Sequence, residues 1–330
     1  MPWKGEKDPY KIWLSEIILQ QTRVEQGWDY YNRFVRRFPT IQSLAAAPED
    51  RVFKLWEGLG YYSRCRNLIA TARYIATERK GVFPDTYEEI LDLKGVGPYT
   101  AAAIASFAYN LPHAVVDGNV FRVLARVFGL AIPTDSTAGK KQFTQLAQEL
   151  IPRRRAGEYN QAIMDFGAVL CKPVSPLCTS CPFRNQCKAF QLDKVEEWPV
   201  RAKKTAVRKR WFDYLVIEQG GRILVRQRTE KDIWAQLYDF PLLEGHPDTE
   251  DNVLIMARKA GWVNPGGFTL QGVSDVREQT LSHQKISARF FEIRLHHPLK
   301  APTGYRWVSQ KQMKELALPR LLRSYWTDRR

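Results

Sequence analysis

The sequence predicts a mainly α-helical N-terminal part followed by an α+β C-terminal part. The first 170 residues carry apolar residues at helical spacing, interrupted by proline and glycine, without alternating strand character. After Cys187 the pattern changes to short strand-like runs separated by glycine turns. A chain of 330 residues is long enough for two hydrophobic cores. We therefore expect one domain over residues 1–190, a basic linker over 191–210 and a second domain over 211–330.

The formal net charge of the chain is +15, from 50 Lys and Arg residues against 35 Asp and Glu residues. Such a surplus favours a polyanionic partner, because lysine and arginine displace the counterions of phosphates. A generally basic protein without this partner would have the same composition. The sequence has no run of about 18 apolar residues and no apolar signal segment near Met1, so we expect no membrane span.

A glutamate lies within the apolar side of the first predicted helix, Tyr10–Gln20. At about 100° per residue, Glu16 falls between Ile12 and Trp13 on the helix surface. Burial of a carboxylate raises its pKa, and the protonated form that results is the one that a general acid requires. A salt-bridged glutamate at the edge of the apolar face also fits this spacing.

A glycine turn between two predicted helices, in the stretch LKGVGPYT, is followed by a carboxylate at the start of a third helix. Gly95 and Gly97 allow a tight turn, and Pro98 suits the first turn of the helix that follows. The N–H groups of such a turn, next to a helix N-terminus, can bind one phosphate oxygen. Asp117 then precedes the third helix. A plain helical hairpin followed by an N-cap aspartate is the alternative.

Three motifs together resemble the adenine DNA glycosylases of the helix-hairpin-helix superfamily. They are SEIILQQTRV from Ser15, WEGLGYYSR from Trp56, and the hairpin LKGVGPYT with VDGNVFRVL after it. The resemblance covers essentially the whole chain and is strongest over residues 1–190. It implies a helix-hairpin-helix glycosylase fold, double-stranded DNA as partner, and removal of adenine mispaired with 8-oxoguanine or guanine in base excision repair.

The resemblance also implies roles for individual residues. Glu16 would be the catalytic acid, and Asp117 would stabilise the sugar cation. Asn119 and Tyr99 would position Asp117 or the sugar. The residues expected to contact DNA or the base are Gln21, Leu59, Tyr61, Gly95, Gly97, Asp165 and Ser282. Without the resemblance, large apolar residues such as Leu59 and Tyr61 are more often part of a hydrophobic core. Polar residues such as Asp165 are then more often ordinary surface residues.

Four of the five cysteines, Cys171, Cys178, Cys181 and Cys187, lie in one short loop with the spacing C-x6-C-x2-C-x5-C. This grouping indicates metal ligands in a reducing compartment rather than a disulfide framework. Zinc sites more often pair two C-x2-C units, and zinc is the alternative. The uneven spacing resembles the [4Fe–4S] loop of the endonuclease III and adenine glycosylase families, which implies such a cluster here. Cys65 lies outside the loop and is expected to be a buried thiol.

Strand-like runs and one helix are predicted in the C-terminal part, with a hairpin turn at Gly220-Gly221. The predicted strands cover 214–218, 223–228, 268–274 and 286–295, and the helix lies near 249–260. This order resembles the Nudix-like C-terminal domain of adenine glycosylases. The Nudix hydrolase box needs a cluster of glutamates to hold Mg²⁺, whereas this chain has NVLIMARKAGW there. We therefore expect recognition rather than nucleotide hydrolysis.

The stretch TLSHQ resembles the motif with which the family inspects 8-oxoguanine. The resemblance implies that Ser282 exchanges hydrogen bonds with the oxidised base. Leu281 replaces the usual phenylalanine and removes an aromatic contact. Read alone, a Ser-His pair in a strand loop is a structural feature.

Tyr99 bears on the type of reaction. In endonuclease III-like relatives a lysine at this position forms a Schiff base with the abasic sugar, whereas a phenol cannot form an imine. We therefore predict a monofunctional glycosylase. The alternatives are a bifunctional pyrimidine-damage glycosylase and lyase, which would need that lysine, and a non-catalytic DNA-binding or redox-sensing iron–sulfur protein, which leaves Glu16 unexplained. We expect a monomer, since no heptad indicates self-association, and a cytoplasmic, nucleoid-associated protein of bacterial type.

Overall fold

A computed structural model describes residues 5–202, 207–245, 249–264 and 266–329. They form two compact units. The helical unit contains the residues up to Ala46 and those from Arg66 to Ala202, and the sheet unit contains Ala47–Cys65 and the residues from Val207 onward. The WEGLGYY stretch thus packs with C-terminal residues. The start of the chain and residues 203–206 of the predicted linker lie outside the described residues.

Between residues 5 and 202 all regular secondary structure is helical, as predicted. The helices are α1 (Pro9–Leu19), α2 (Val24–Arg37), α3 (Ile41–Ala45), α4 (Glu49–Trp56), α5 (Ser63–Thr77), α6 (Tyr87–Leu91), α7 (Pro98–Tyr109), α8 (Gly118–Phe128), α9 (Thr137–Leu150), α10 (Ala156–Val169) and α11 (Lys188–Gln191), with a 3₁₀ turn at Cys178–Ser180. In the described part of the chain, no helix is both long and apolar enough to cross a lipid bilayer.

Helix α1 lies in the interior of the helical unit. Its N-cap is Asp8, whose carboxylate accepts a hydrogen bond from the Tyr10 N–H at 2.9 Å, and Pro9 occupies the first turn. The helix packs against α2 and α7. Most of its residues are buried, on every side of the helix. Glu16 is therefore inside the unit, with an exposed fraction of only 4%.

Helices α6 and α7 form the predicted hairpin. Gly95 has a φ of +83°, and a Cβ there would lie 2.6 Å from the Asn67 side chain, so the turn requires glycine. The Thr71 hydroxyl donates a hydrogen bond to the Lys94 carbonyl at 2.9 Å and holds the turn on α5. Gly97 is the N-cap of α7 and faces open space. The helix-hairpin-helix is confirmed, with its N-terminal end of α7 accessible.

The described residues that follow α11, up to Ala202, pack on the helical unit, although the sequence predicts an extended linker there. Trp198 is buried, and its carbonyl accepts a hydrogen bond from the Arg126 side chain at 3.0 Å. The Val200 carbonyl accepts one from the Thr134 N–H at 3.0 Å. Burial of the indole gives this segment a fixed place that its basic composition does not predict.

The described C-terminal residues form a mixed sheet with the strand order β3-β2-β1-β7-β5, in which β4 pairs with β1, β6 with β7 and β8 with β2. The strands are β1 (Arg208–Gln219), β2 (Arg222–Gln227), β3 (Tyr238–Asp239), β4 (Leu242–Gly245), β5 (Phe268–Val273), β6 (Arg277–Thr280), β7 (Gln284–Leu295) and β8 (Tyr305–Ser309), and the helices are α12 (Glu250–Lys259), α13 (Gln310–Glu315) and α14 (Arg320–Asp328). The hairpin predicted at Gly220-Gly221 joins β1 to β2. The α+β class of this part is confirmed.

Candidate active site

A recess of about 340 Å³ in the helical unit is lined by α1, the end of α7 and α10. This volume lies at the lower end of the range for small-molecule pockets, about 300–1,000 Å³. Glu16 reaches it from α1 and Asp165 from α10, and Lys7 and Glu158 lie at its edge. The recess therefore has several ionisable groups around a space large enough for a small ligand.

Glu16 has the properties of a general acid. Burial raises the pKa of its carboxyl group from 4.5 to about 7, the nearby negative charge of Asp117 acts in the same direction, and a hydrogen bond with Tyr99 partly opposes them. Both protonation states are therefore populated near neutral pH. A carboxyl group with such a pKa can hold a proton and release it at the same pH.

Tyr99 lies in the first turn of α7, close to the carboxylates of Glu16 and Asp117. Burial, followed by the negative charges of Glu16 and Asp117, raises the pKa of its phenol well above 10. The hydroxyl thus stays protonated and donates its hydrogen bond to Glu16. The structure therefore brings Glu16, Tyr99 and Asp117 together.

Asp117 is the N-cap of α8, and hydrogen bonds fix both oxygens of its carboxylate. Oδ1 accepts from the N–H groups of Asn119 and Val120 at 2.9 and 2.8 Å, and Oδ2 accepts from Asn119 Nδ2 at 2.8 Å. Three donors stabilise the negative charge of a carboxylate. Asn119 thus positions Asp117, because it holds both oxygens.

Arg122 connects this aspartate to the loop that contains the four cysteines. Its guanidinium donates to Asn119 Oδ1 at 2.8 Å and to the carbonyls of Cys171 and Gly167 at 2.7 and 2.6 Å. Gly167 allows the close approach of α10 to α8, since a Cβ there would lie 2.7 Å from the Asn119 Cβ. The side chains that hold Asp117 are therefore supported from α10 and from the start of the cysteine loop.

Two residues expected to contact DNA have left-handed backbone conformations. Gln21 has a φ of +58° directly after α1, and Tyr61 has a φ of +46° in the loop after α4; both are exposed. Left-handed conformations are costly for residues other than glycine and are often found at functional sites. Leu59, by contrast, is only 6% exposed. Of the two residues expected to contact DNA from this loop, Tyr61 is accessible and Leu59 is buried.

Asp165 lines the recess, a position that favours the functional interpretation over a plain helix-surface aspartate. It accepts a hydrogen bond from Gln161 Nε2 at 3.0 Å, and Gln161 also lines the recess. This pair presents amide and carboxylate groups to a ligand. Gly95 and Gly97 lie at the hairpin turn and do not line the recess.

The four cysteines of the loop surround a second, much smaller recess. All four are free and partly buried. Burial, followed by the negative charges of Cys171, Cys181 and Cys187, raises the pKa of the Cys178 thiol, which shows that the four sulfurs are close to one another. Arg126 lies beside them, with Nη1 3.5 Å from Cys171 Sγ. Among the described residues, no group of three or more cysteine, histidine or acidic side chains is arranged so that it could hold a metal ion.

Ser282 lies at the exposed turn between β6 and β7. Its hydroxyl and His283 Nδ1 are 3.0 Å apart, and the turn is closed by a hydrogen bond from the Leu281 N–H to the Gln284 carbonyl at 2.7 Å. Gln284 Oε1 accepts a hydrogen bond from the buried Arg210 at 3.2 Å. The turn therefore presents the polar pair Ser282 and His283 at the surface, and Gln284 anchors it to the buried Arg210.

Arg122 and Arg126 are candidate site residues that sequence reasoning missed. Both are buried on α8, with exposed fractions of 8% and 2%, and both contact the cysteine loop. The signal was present, because two arginines four residues apart in VFRVLARVF interrupt an apolar helix face.

Comparison with known proteins identifies the family. A model of the HhH-GPD superfamily of base excision DNA repair proteins matches residues 14–153, and a NUDIX domain model matches residues 213–328. An adenine DNA glycosylase of Buchnera aphidicola is 37% identical over 73% of this chain and 68% of its own length. The mouse and human adenine DNA glycosylases are each 32% identical over 96% of this chain, and over 72% and 69% of their own lengths.

This chain belongs to the adenine DNA glycosylase family. Membership agrees with the motifs in the sequence and makes the chain a base excision repair enzyme, a DNA N-glycosylase. Among solved structures, a thermostable thymine-DNA glycosylase has a TM-score of 0.54 and 30% identity, over 58% of this chain and 88% of its own. Endonuclease III bound to DNA has a TM-score of 0.51 at 22% identity, over 57% of this chain and 86% of its own, which shows a shared fold. The alternative of a non-catalytic DNA-binding or redox-sensing protein is not supported.

Proposed function

We propose that this adenine DNA glycosylase removes adenine placed opposite 8-oxoguanine, or opposite guanine, in double-stranded DNA and leaves an abasic site. The observation that carries the proposal is that the buried Glu16, which lines a recess large enough for a nucleobase, is close to both Tyr99 and Asp117. Adenine must leave the duplex to enter such a recess, because its reactive atoms are hidden in the base stack.

Glu16 supplies the proton that the leaving base requires. Its carboxyl group, with a pKa of about 7, donates a proton to the purine, at N7, while the bond between C1′ and N9 breaks and its electrons leave with the base. The Tyr99 hydroxyl remains protonated throughout and fixes the orientation of the carboxyl group.

Asp117 stabilises the positive charge that develops on the sugar. A carboxylate held by fixed donors needs no reorganisation when an oxocarbenium-like state forms. Water then adds to C1′, and its proton passes to solvent. Asn119, which binds both carboxylate oxygens, keeps Asp117 at the site where the charge develops.

The remaining site residues bind the substrate. Gln21 enters the base stack, Tyr61 fills the space that the extruded base leaves, and Asp165 accepts a hydrogen bond from the exocyclic amine of adenine. Leu59 reaches DNA only if it leaves its buried position. The turn at Gly95 and Gly97 binds a phosphate, and the hydroxyl of Ser282 contacts the opposite base.

We also propose that Cys171, Cys178, Cys181 and Cys187 hold a [4Fe–4S] cluster. The support for this proposal is that the four thiols line one small recess. Cysteine thiolates are the usual ligands of such clusters. The cluster would fix the loop, whose first carbonyl supports Arg122 and, through it, Asn119.

The absence of a lysine at position 99 supports a monofunctional enzyme, since a phenol cannot form a Schiff base with the abasic sugar. We propose that the enzyme acts as a monomer on the nucleoid of a bacterial cell.

The experiment that tests this function is single-turnover adenine release from four duplexes that differ only in the base opposite adenine. With 8-oxoguanine, guanine, cytosine and thymine as opposite bases, we expect the fastest release for 8-oxoguanine and a slower one for guanine. Alkali then cleaves the abasic strand and reports the product. Equal rates for all four duplexes, or release of a pyrimidine instead, would contradict the proposal.

A further inference from the structure

Glu57, at the C-terminal end of α4, accepts hydrogen bonds from C-terminal residues of the sheet unit. Its Oε1 accepts from the Leu318 N–H at 3.0 Å and from Arg323 Nε at 2.9 Å. Its Oε2 accepts from Lys54 Nζ at 2.7 Å. The Glu57 side chain is only 16% exposed. Because charge-assisted hydrogen bonds are stronger than neutral ones, this carboxylate is more than a solvated surface group.

Two further hydrogen bonds reinforce the contact. Lys54 Nζ donates to the Leu316 carbonyl at 3.1 Å, and Arg323 Nη2 donates to the same carbonyl at 2.5 Å. The segment from Leu316 to Arg323 is thus bound to the end of α4 at several points. We call this set of contacts, formed by Lys54, Glu57, Leu316, Leu318 and Arg323, the Glu57 clamp.

The loop that carries Tyr61 begins directly after Glu57. Gly58, Gly60 and Tyr61 all have positive φ, at +96°, +74° and +46°. Hydrogen bonds, rather than regular secondary structure, hold a loop of this kind. The Trp56 indole donates to the Gly60 carbonyl at 3.1 Å within the loop, and the Glu57 clamp fixes its start.

Tyr61 is 40% exposed in this loop, although hydrogen bonds hold the backbone on both sides of it. Ser282 belongs to the same compact unit. The sheet unit therefore contains both Ser282, which is proposed to contact the opposite base, and Tyr61, which is proposed to fill the space of the extruded base. A fixed loop reduces the conformational entropy that Tyr61 must lose when it enters DNA.

We propose that Glu57 is a positioning residue, which fixes the Tyr61 loop to the segment Leu316–Arg323 and thereby makes Tyr61 contribute to selection of the opposite base. This inference rests on the proposed function. Loss of the clamp releases the start of the loop, so that Tyr61 samples several positions. The ratio of adenine-release rates, opposite 8-oxoguanine to opposite guanine, then falls by a larger factor than the rate of adenine release opposite guanine itself.

The test uses the full-length protein with Glu57→Ala, Glu57→Gln, Arg323→Ala and the double Glu57→Ala/Arg323→Ala variant. The matched control is Asp50→Asn, which removes the negative charge from the side chain that accepts a 3.3 Å hydrogen bond from Tyr238 at the other end of α4. Two quantities are measured: the ratio of single-turnover rates for adenine opposite 8-oxoguanine and opposite guanine, and hydrogen exchange of the amides at 58–62.

We expect Glu57→Ala to lower the rate ratio about tenfold, equivalent to about 1.4 kcal/mol, and to accelerate exchange at 58–62. Glu57→Gln, which keeps an acceptor oxygen and the side-chain shape, should show a smaller change in the same direction. Arg323→Ala should act in the same direction but less strongly, because Glu57 then keeps its hydrogen bonds with Leu318 and Lys54. The effect of the double variant should be smaller than the sum of the two single effects, since both disrupt the contact between Glu57 and Arg323. Asp50→Asn should retain the wild-type ratio.

An unchanged ratio in Glu57→Ala, with a wild type that does prefer 8-oxoguanine, would overturn the clamp proposal alone. Strictly additive effects in the double variant, or unchanged exchange at 58–62, would also overturn it. A wild type that shows no preference among opposite bases would refute the proposed function and this inference together. The two failures are therefore distinguishable by the behaviour of the wild type.

Discussion

Replacement of Glu16 by glutamine should stabilise the protein while it abolishes catalysis. Burial raises the pKa of Glu16 from 4.5 to about 7, so the folded state binds the Glu16 proton more tightly than the unfolded state. The protonated Glu16 makes its full contribution to the free energy of unfolding below about pH 4.5, and this contribution is lost as the pH rises to about 7. The difference in pKa corresponds to about 3 kcal/mol. Glutamine is neutral at every pH and avoids this loss.

The assay is urea unfolding of wild type and Glu16→Gln at pH 5, 6, 7 and 8, followed by far-UV circular dichroism, to which the helical unit contributes most. We expect an advantage of about 1 kcal/mol for the variant at pH 5, because the unfolded Glu16 is already mostly ionised there, and an advantage that grows to about 3 kcal/mol at pH 8. The exposed Glu196→Gln is the control and should stay within about 0.5 kcal/mol of wild type. An advantage that does not depend on pH, or a variant less stable at pH 8, would refute the assignment of a buried, protonated Glu16.

Three other results follow from the site. Wild type incubated with a preformed abasic duplex and sodium borohydride should form almost no covalent adduct, because Tyr99 cannot form an imine; efficient trapping would contradict monofunctional chemistry. Ser282→Ala should lower the preference for 8-oxoguanine over guanine by about 1 kcal/mol, the usual net value of one hydrogen bond, in the same single-turnover assay, and an unchanged ratio would remove Ser282 from base recognition. Cys178→Ser should lower the iron bound per chain, measured by iron and sulfide analysis, whereas Cys65→Ala should not; equal iron contents would argue against the cluster.

Local pattern predicted most of the helical unit. Periodicity and proline positions place α1 within one residue of its observed bounds, Pro9–Leu19. Helix α2 escaped prediction because its buried stripe is narrow, consisting of Gly27, Tyr31 and Phe34 among many charged residues. Strand β1 was predicted too short, since its first residues, Arg208–Arg210, resemble a basic linker. They form a strand because β7 pairs with them in parallel, a non-local contact that composition does not reveal.

The site shows the same division between local and non-local information. A carboxylate within an apolar helix face indicated Glu16, and the N-cap position indicated Asp117. Nothing local indicates that Leu59 is buried or that Glu57 pairs with Arg323, 266 residues further along the chain. Such contacts depend on how distant segments meet, and a single sequence does not specify them.

The most direct test of the central claim, that a protonated Glu16 and a charged Asp117 act on one sugar–purine bond, is the pH dependence of single-turnover adenine release. With adenine opposite 8-oxoguanine, the wild-type rate should be constant below about pH 7 and fall about tenfold per pH unit above it, because the proton on Glu16 is lost. Glu16→Gln and Asp117→Asn should bind the duplex without measurable release at any pH. Adenine release by either variant at the wild-type rate would contradict the claim.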